Sequence, residues 1–275
     1  MKVGVIISIS DDIDAEFKKV HDLGLPTCQL NGWEQARFTD QTAQQVVAAS
    51  RKYGVEITAF WCGWEGPAVW DFVDGPLTLG LVPPAFRHDR LKMLMKGADF
   101  ALKIGVKDLV THVGFIPENP NDPEYKSLVA VLRYLALYCN QRGLYFLFET
   151  GQETPVTLLR AIEDIGLDNL GVNLDPANLI LYGKANPVDA LDVIGRYVRG
   201  VHAKDGLYPT SGRFLGQEVP LGAGKVNFPA LVAKLKVVGY DGALTIEREI
   251  SGEQQVKDIQ MARSLLEKLI QENTK

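Results

Sequence analysis

Histidine and cysteine are scarce in this sequence, with four His and three Cys among 275 residues. Cys28, Cys62 and Cys139 are odd in number and scattered, form no CxxC pair, and each lies in an apolar or strand-like context. That pattern argues against a disulfide framework and leads us to expect reduced, buried thiols in a cytoplasmic protein. Basic runs longer than a residue or two are missing as well. With 29 Lys and Arg against 34 Asp and Glu the formal charge is -5, and the pI is about 5.5, a balance that disfavours nucleic acid as a partner. No apolar stretch is long enough to span a membrane. Residues 1–8 enter a strand pattern at once, without the longer apolar core and cleavage site of a signal peptide.

A linker is also lacking. No shift of composition divides the chain, so residues 1–275 are expected to form one domain, at a length common among single-domain barrels. Alternating strand and helix signals fill that length. Tyr145-Phe146-Leu147-Phe148-Glu149 is a short apolar run of the kind that parallel sheets cover on both faces, and it ends on a carboxylate. Comparable strand signals stand at residues 1–8, 27–30, 57–62, 108–114, 170–175, 198–205 and 243–247. Between them lie helix signals, several opened by Asp, Thr-Pro or Asn and closed by Gly, as at Asp12, Thr154-Pro155, Gly166 and Asn227. Eight strands alternating with eight helices predict an α/β fold, a single (β/α)8 TIM barrel. Residues 63–84, rich in Gly, Pro and Trp, are too long for a plain connection and are expected to cover a site.

In such a barrel the C-terminal strand ends converge on one face. Glu149 ends the fifth strand, Asp175 the sixth, His202 the seventh and Glu247 the eighth. Three crowded carboxylates with no comparable internal cation repel one another unless protons or a cation neutralise them. One divalent ion, Mn2+, Mg2+, Co2+ or Zn2+, suits three oxygen donors and an imidazole and leaves positions for substrate or water. His112 ends the fourth strand and faces the same mouth, where it can bond a substrate oxygen. Trp61 and Trp64 flank the third strand's end, where an indole face can stack on the apolar face of a substrate or else pack into the core or a lid. Lys204 and Asp205 adjoin His202, either orienting the site or forming a structural ion pair. Glu153 is read as a cap for the helix starting near Thr154, Gly222 and Gly224 as a tight turn, and His21 and His88 as surface residues.

The motifs Phe148-Glu149-Thr150, Asn173-Leu174-Asp175, Val201-His202-Ala203-Lys204-Asp205, Leu221-Gly222-Ala223-Gly224-Lys225-Val226-Asn227-Phe228 and Thr245-Ile246-Glu247 resemble the xylose isomerase-like barrels of the sugar (phosphate) isomerase/epimerase superfamily. The resemblance spans essentially the whole chain. It implies that Glu149, Asp175, His202 and Glu247 hold one divalent metal, as in the superfamily's ketose 3-epimerases, and that Glu149 and Glu247 also move the substrate proton. Two positions depart from that pattern. Asn178 stands where many relatives carry His, and an amide holds a hydroxyl but does not titrate near neutrality. Tyr208 replaces an Arg, for which Arg213 further along the loop can substitute at the substrate, the alternative being that Arg213 is a solvated loop residue.

The expected activity is a metal-dependent isomerase or epimerase of a small sugar or sugar phosphate, working by proton transfer through an enediolate. Assembly into a homo-oligomer is left open. A keto-inositol-type dehydratase needs the same enolate and is the alternative within enzymes. A sugar-binding barrel without turnover is the alternative outside them. Four histidines and an acidic pI disfavour the superfamily's endonucleases, which need a trinuclear site and a basic face.

Overall fold

The computed structural model describes residues 1–273. Ten strands run in chain order: β1 (Lys2–Ser8), β2 (Thr27–Gly32), β3 (Glu56–Cys62), β4 (Asp108–Thr111), β5 (Tyr145–Glu149), β6 (Leu170–Leu174), β7 (Val198–Ala203), β8 (Asp205–Gly206), β9 (Glu218–Val219) and β10 (Ala243–Ile246). β1 to β7 and β10 close into a barrel whose pairings are parallel throughout, β10 lying between β7 and β1. β8 and β9 form a short antiparallel ribbon beyond the end of β7.

The helices are α1 (Ile13–Asp22), α2 (Asp40–Tyr53), α3 (Gly75–Thr78), α4 (Pro84–Lys103), α5 (Pro123–Asn140), α6 (Pro155–Ile165), α7 (Pro176–Leu181), α8 (Pro187–Ile194), α9 (Phe228–Val237) and α10 (Glu253–Glu272). Proline opens α4 to α8, where its missing N–H costs no intrahelical bond and its fixed φ suits the first turn. Side chains of Asp12, Thr39, Asp122, Thr154, Asn186 and Asn227 cap the helices they precede. α8 is followed directly by a 3-10 turn, Gly195–Tyr197. One expectation needs correction. Glu153 does not cap α6, because the Thr154 hydroxyl accepts from Thr157 N while the Glu153 carboxyl turns into the protein.

Strand parity determines which residues can meet inside the barrel. On β5, Phe146 and Phe148 pack outward into the core beneath the helices, whereas Leu147 packs inward with Ala59, Trp61 and Val110. Glu149 shares the parity of Leu147 and therefore reaches the interior at the strand's C-terminal end. The same alternation holds elsewhere: Cys28 and Leu30, Val172 and Leu174, Val201 and Ala203, and Leu244 and Ile246 all belong to the outer core. Their neighbours Gln29, Asn173, His202 and Thr245 are buried polar residues of opposite parity, and Asp175 and Glu247 continue that inward set one step past their strands. Gly200 leaves room for this polar layer, since a Cβ there would stand 2.3 Å from Asn173 Oδ1.

The loop after β3 is pinned from below. Arg90 of α4 is 1% exposed and donates to the carbonyls of Thr78 (2.6 Å), Gly80 (2.7 Å) and Pro67 (2.8 Å), with a longer contact to Glu65 O at 3.4 Å. At the rim, Asp71 and Phe214 form a single β-bridge that ties this loop to the one leading into β9. The three cysteines are all buried and unpaired, and no helix among the described residues is long and apolar enough to cross a membrane.

Candidate functional site

The ends of β5, β6, β7 and β10 bring Glu149, Asp175, His202 and Glu247 together, each offering one ligand atom within 4.8 Å of the others. His202 Nδ1 is the hub, 3.0 Å from Glu247 Oε2, 3.1 Å from Glu149 Oε1 and 3.6 Å from Asp175 Oδ2. Despite these ion-pair distances the angles make no hydrogen bond. Nδ1, Asp175 Oδ2 and Glu247 Oε2 are all buried without a hydrogen-bond partner, a costly arrangement unless a charge neutralises them.

The other face of each ligand is held by the protein. Gln29 Oε1 lies 2.6 Å from His202 Nε2 and, as a carbonyl oxygen, can only accept. The ring proton therefore sits on Nε2 and a lone pair on Nδ1 points into the cluster. Gln29 is itself oriented by donating to Asn173 Oδ1 at 3.4 Å. Asp175 uses Oδ1 to accept from Asn178 N at 2.8 Å, capping α7, which leaves Oδ2 for the cluster. Glu149 Oε2 accepts from the Trp61 indole N–H, and its Oε1 accepts from Asn178 Nδ2 at 3.3 Å and lies 3.4 Å from His112 Nε2.

An internal cation is present after all, which corrects the expectation drawn from the sequence. Lys204 is buried, with Nζ 2.6 Å from Glu249 Oε1, 3.4 Å from Glu247 Oε2 and 3.7 Å from Asp175 Oδ2. It does not pair with Asp205, whose carboxylate is taken up by backbone amides. With Glu249 included, four carboxylates less one ammonium leave a formal charge of minus three, an excess that a bound divalent ion would largely offset. The donor set and the orphaned atoms thus fit a divalent metal, with Glu149, Asp175, His202 and Glu247 able to hold it.

Burial and mutual charge set the proton affinities. Burial lowers the affinity of His202, but the charges of Glu149 and Glu247 outweigh it and raise the pKa well above the usual imidazole value. A proton and a metal ion would therefore compete for Nδ1. Burial raises Asp175 to about 6 against the opposing charge of Lys204. Burial also acts to raise Glu247, but Lys204 and His202 outweigh it and hold that carboxyl below its ordinary range. Glu149 is lowered too, its burial outweighed by His112 and His202. Burial keeps His112 below the usual imidazole value.

The cluster opens into a cavity of about 370 Å3. Trp33, Trp61 and Trp70 line it as an aromatic wall, and Asn178, Lys204 and Glu249 line it as well. Of the residues expected from the sequence, Trp61, His112, Asn178 and Lys204 face the cavity with Glu149, His202 and Glu247. Two expected substrate contacts are placed elsewhere. Trp64 is 3% exposed and lies behind Trp33 and Trp70, with ring centroids 5.6 and 6.4 Å away, so it supports the wall. Arg213 is exposed, and its carbonyl accepts from Phe72 N beside the Asp71–Phe214 bridge, leaving Leu215 to reach the cavity. Trp70 belongs to the 63–84 loop that was expected to cover a site, whereas Gln29, Trp33, Tyr182 and Glu249 escaped the sequence reading. Only Gln29 had a local signal, as a polar residue on the inward parity of β2, between the outward-facing apolar Cys28 and Leu30.

The molecule is thus a parallel (β/α)8 barrel with a Glu, Asp, His, Glu cluster that could hold a metal ion at its C-terminal mouth, beneath an open cavity. The sequence pattern of the xylose isomerase-like TIM barrel family matches residues 17–269, and the chain belongs to that family. A crystal structure of a xylose isomerase domain protein from Planctomyces limnophilus is 37% identical, with a TM-score of 0.94 over 99% of this chain and 98% of that one. A D-tagatose 3-epimerase-like protein has the same fold at 20% identity, with a TM-score of 0.78 over 100% of this chain and 98% of that one. An uncharacterised protein of Methanocaldococcus jannaschii is 28% identical over 183 residues, and the match spans 60% of this chain and 60% of that relative.

Proposed function

We propose that this protein is a metal-dependent isomerase or epimerase of sugars or keto-polyols that transfers a proton at a carbon beside a carbonyl, through an enediolate, within a single domain. The observation that carries this reading is the placing of Glu149 and Glu247 on the two flanks of Asp175 and His202, facing one cavity. A metal held by these four side chains would supply Lewis-acid stabilisation of the negative charge that grows on the carbonyl oxygen as the C–H bond ionises. Glu247, 19% exposed against 2% for Glu149, takes or returns the proton from one side, and Glu149 serves from the other. Trp61, Asn178 and His112 hold Glu149 in place for that role. Lys204 holds Glu247 ionised and able to accept a proton. Asn178 and Lys204 also line the cavity and can bind substrate hydroxyls.

Proteins of the same fold support the reaction class. They include a D-psicose 3-epimerase crystallised in the presence of D-fructose, at 16% identity, and an L-ribulose 3-epimerase at 17%. A probable 3-DHS dehydratase at 17% shares the fold as well, which makes water elimination the outcome to test against. Three buried, unpaired thiols support a reducing compartment such as the cytoplasm. The test is incubation with a panel of ketohexoses in deuterated water, followed by NMR. Deuterium is expected on a carbon beside the carbonyl of the product. Loss of water would move the protein to the dehydratases, and saturable binding with no exchange would make it a binding protein.

A further inference from the structure

Resting on that reading, we propose that the substrate is an uncharged sugar whose apolar face lies on Trp33 and Trp70, and that phosphorylated sugars are excluded. The chain has four tryptophans, at positions 33, 61, 64 and 70, and all of them meet at this mouth. Trp33 packs on Trp61 with centroids 4.9 Å apart, Trp61 lies 6.0 Å from His112, and His112 lies 5.3 Å from Trp70. Trp33 and Trp70 remain 39% and 40% exposed although they line a cavity. Half-covered indoles in a cavity that is also lined by Asn178, Lys204 and Glu249 match a sugar, which presents both C–H faces and hydroxyls.

Exclusion of phosphate follows from the loops after β7 and β10, where barrels of this kind commonly bind that group. In the loop after β7, the amides that would cradle an anion are already occupied from within. Asp205 accepts from Gly206 N (2.8 Å), Gly222 N (2.9 Å), Gly224 N (2.9 Å) and Val226 N (3.0 Å). The fit is close, since a Cβ on Gly224 would stand 2.1 Å from Asp205 Oδ1. Arg248, after β10, is paired with Glu218 (2.9 Å) and Asp258 (2.7 Å). Lys204, the only Lys or Arg among the described residues that line the cavity, faces three carboxylates. A phosphate monoester entering this cavity would meet Glu247 and Glu249, and no unpaired Lys or Arg is among the described residues that line it.

The test measures binding apart from catalysis. Tryptophan emission and calorimetry are followed while D-fructose, D-glucose, their 6-phosphates and inorganic phosphate are titrated into the metal-loaded protein. Neutral sugars are expected to change the emission saturably, and each 6-phosphate to bind at least about 10-fold more weakly than its parent. Trp33→Ala and Trp70→Ala should each weaken neutral-sugar binding by about 10-fold, with partial recovery in the Phe variants and metal content unchanged. A 6-phosphate binding more tightly than its parent, Ala variants that bind like the wild type, or no saturable response to either neutral sugar would overturn the proposal. Binding of neutral sugars without proton exchange would sink the isomerase reading and leave this inference standing.

Discussion

Glu247→Gln is expected to lower turnover by about 10²–10⁴-fold while most of the bound metal is retained. The amide keeps an oxygen donor of nearly the same size, so the metal loses little, but it cannot accept a proton from carbon. Glu149→Gln should cost as much in turnover and more in stability. Both oxygens of Glu149 face donors, the Trp61 indole N–H on one side and Asn178 Nδ2 on the other. A Gln side chain has one oxygen, so its NH2 group must oppose a donor or the metal, which leaves a buried polar group unsatisfied. Turnover by each variant, read beside its metal content and melting temperature, separates the two effects. Wild-type turnover in either variant would remove that glutamate from the proton path.

Arg90→Met should destabilise the fold by about 3–5 kcal/mol, because a buried donor to several carbonyls is among the costlier groups to remove. Short bonds to Thr78, Gly80 and Pro67 would be lost at once, leaving those carbonyls without partners. The guanidinium also lies over the rings of Phe86 and Trp64, 4.7 and 5.3 Å from their centroids, a stacking that Met replaces only in part. Burial lowers the Arg90 pKa to about 10, which still leaves it charged at neutral pH. Trp70 belongs to the loop that Arg90 holds, so the loss of stability should come with weaker sugar binding. Chemical denaturation measures the first effect, and an unfolding free energy within about 1 kcal/mol of the wild type would show that the loop is held by other contacts.

The barrel was legible because its signals are local. Alternating apolar residues, prolines at helix starts and glycines at helix ends recur along the chain, and each is read within a few positions. Glu149, Asp175, His202 and Glu247 were legible for the same reason, as polar residues closing apolar strands. Lys204 was seen but its partners were not, since Glu249 lies 45 positions away in sequence. Gln29 and His202 are 173 positions apart, and no local pattern shows that β2 and β7 face each other across the barrel. The aromatic wall was half legible. Trp61 sits on a strand of readable parity, but Trp33 and Trp70 lie in loops whose paths depend on Arg90 and on the Asp71–Phe214 bridge. Arg213, expected near the substrate, is exposed on the loop joined by that bridge and is outside the cavity lining, which Leu215 reaches.

Metal content tests the central claim most directly. Protein purified without chelator is analysed by plasma mass spectrometry beside Asp175→Ala and His202→Ala, and melting is followed with and without EDTA. The wild type should hold about one divalent ion per chain and lose melting temperature on chelation, since an ion bound only by the folded state stabilises it. Both variants should lose most of the ion. Equal metal content in the wild type and both variants, or a chelated wild type that takes up no divalent ion on reconstitution, would contradict the assignment of this cluster as the catalytic metal site.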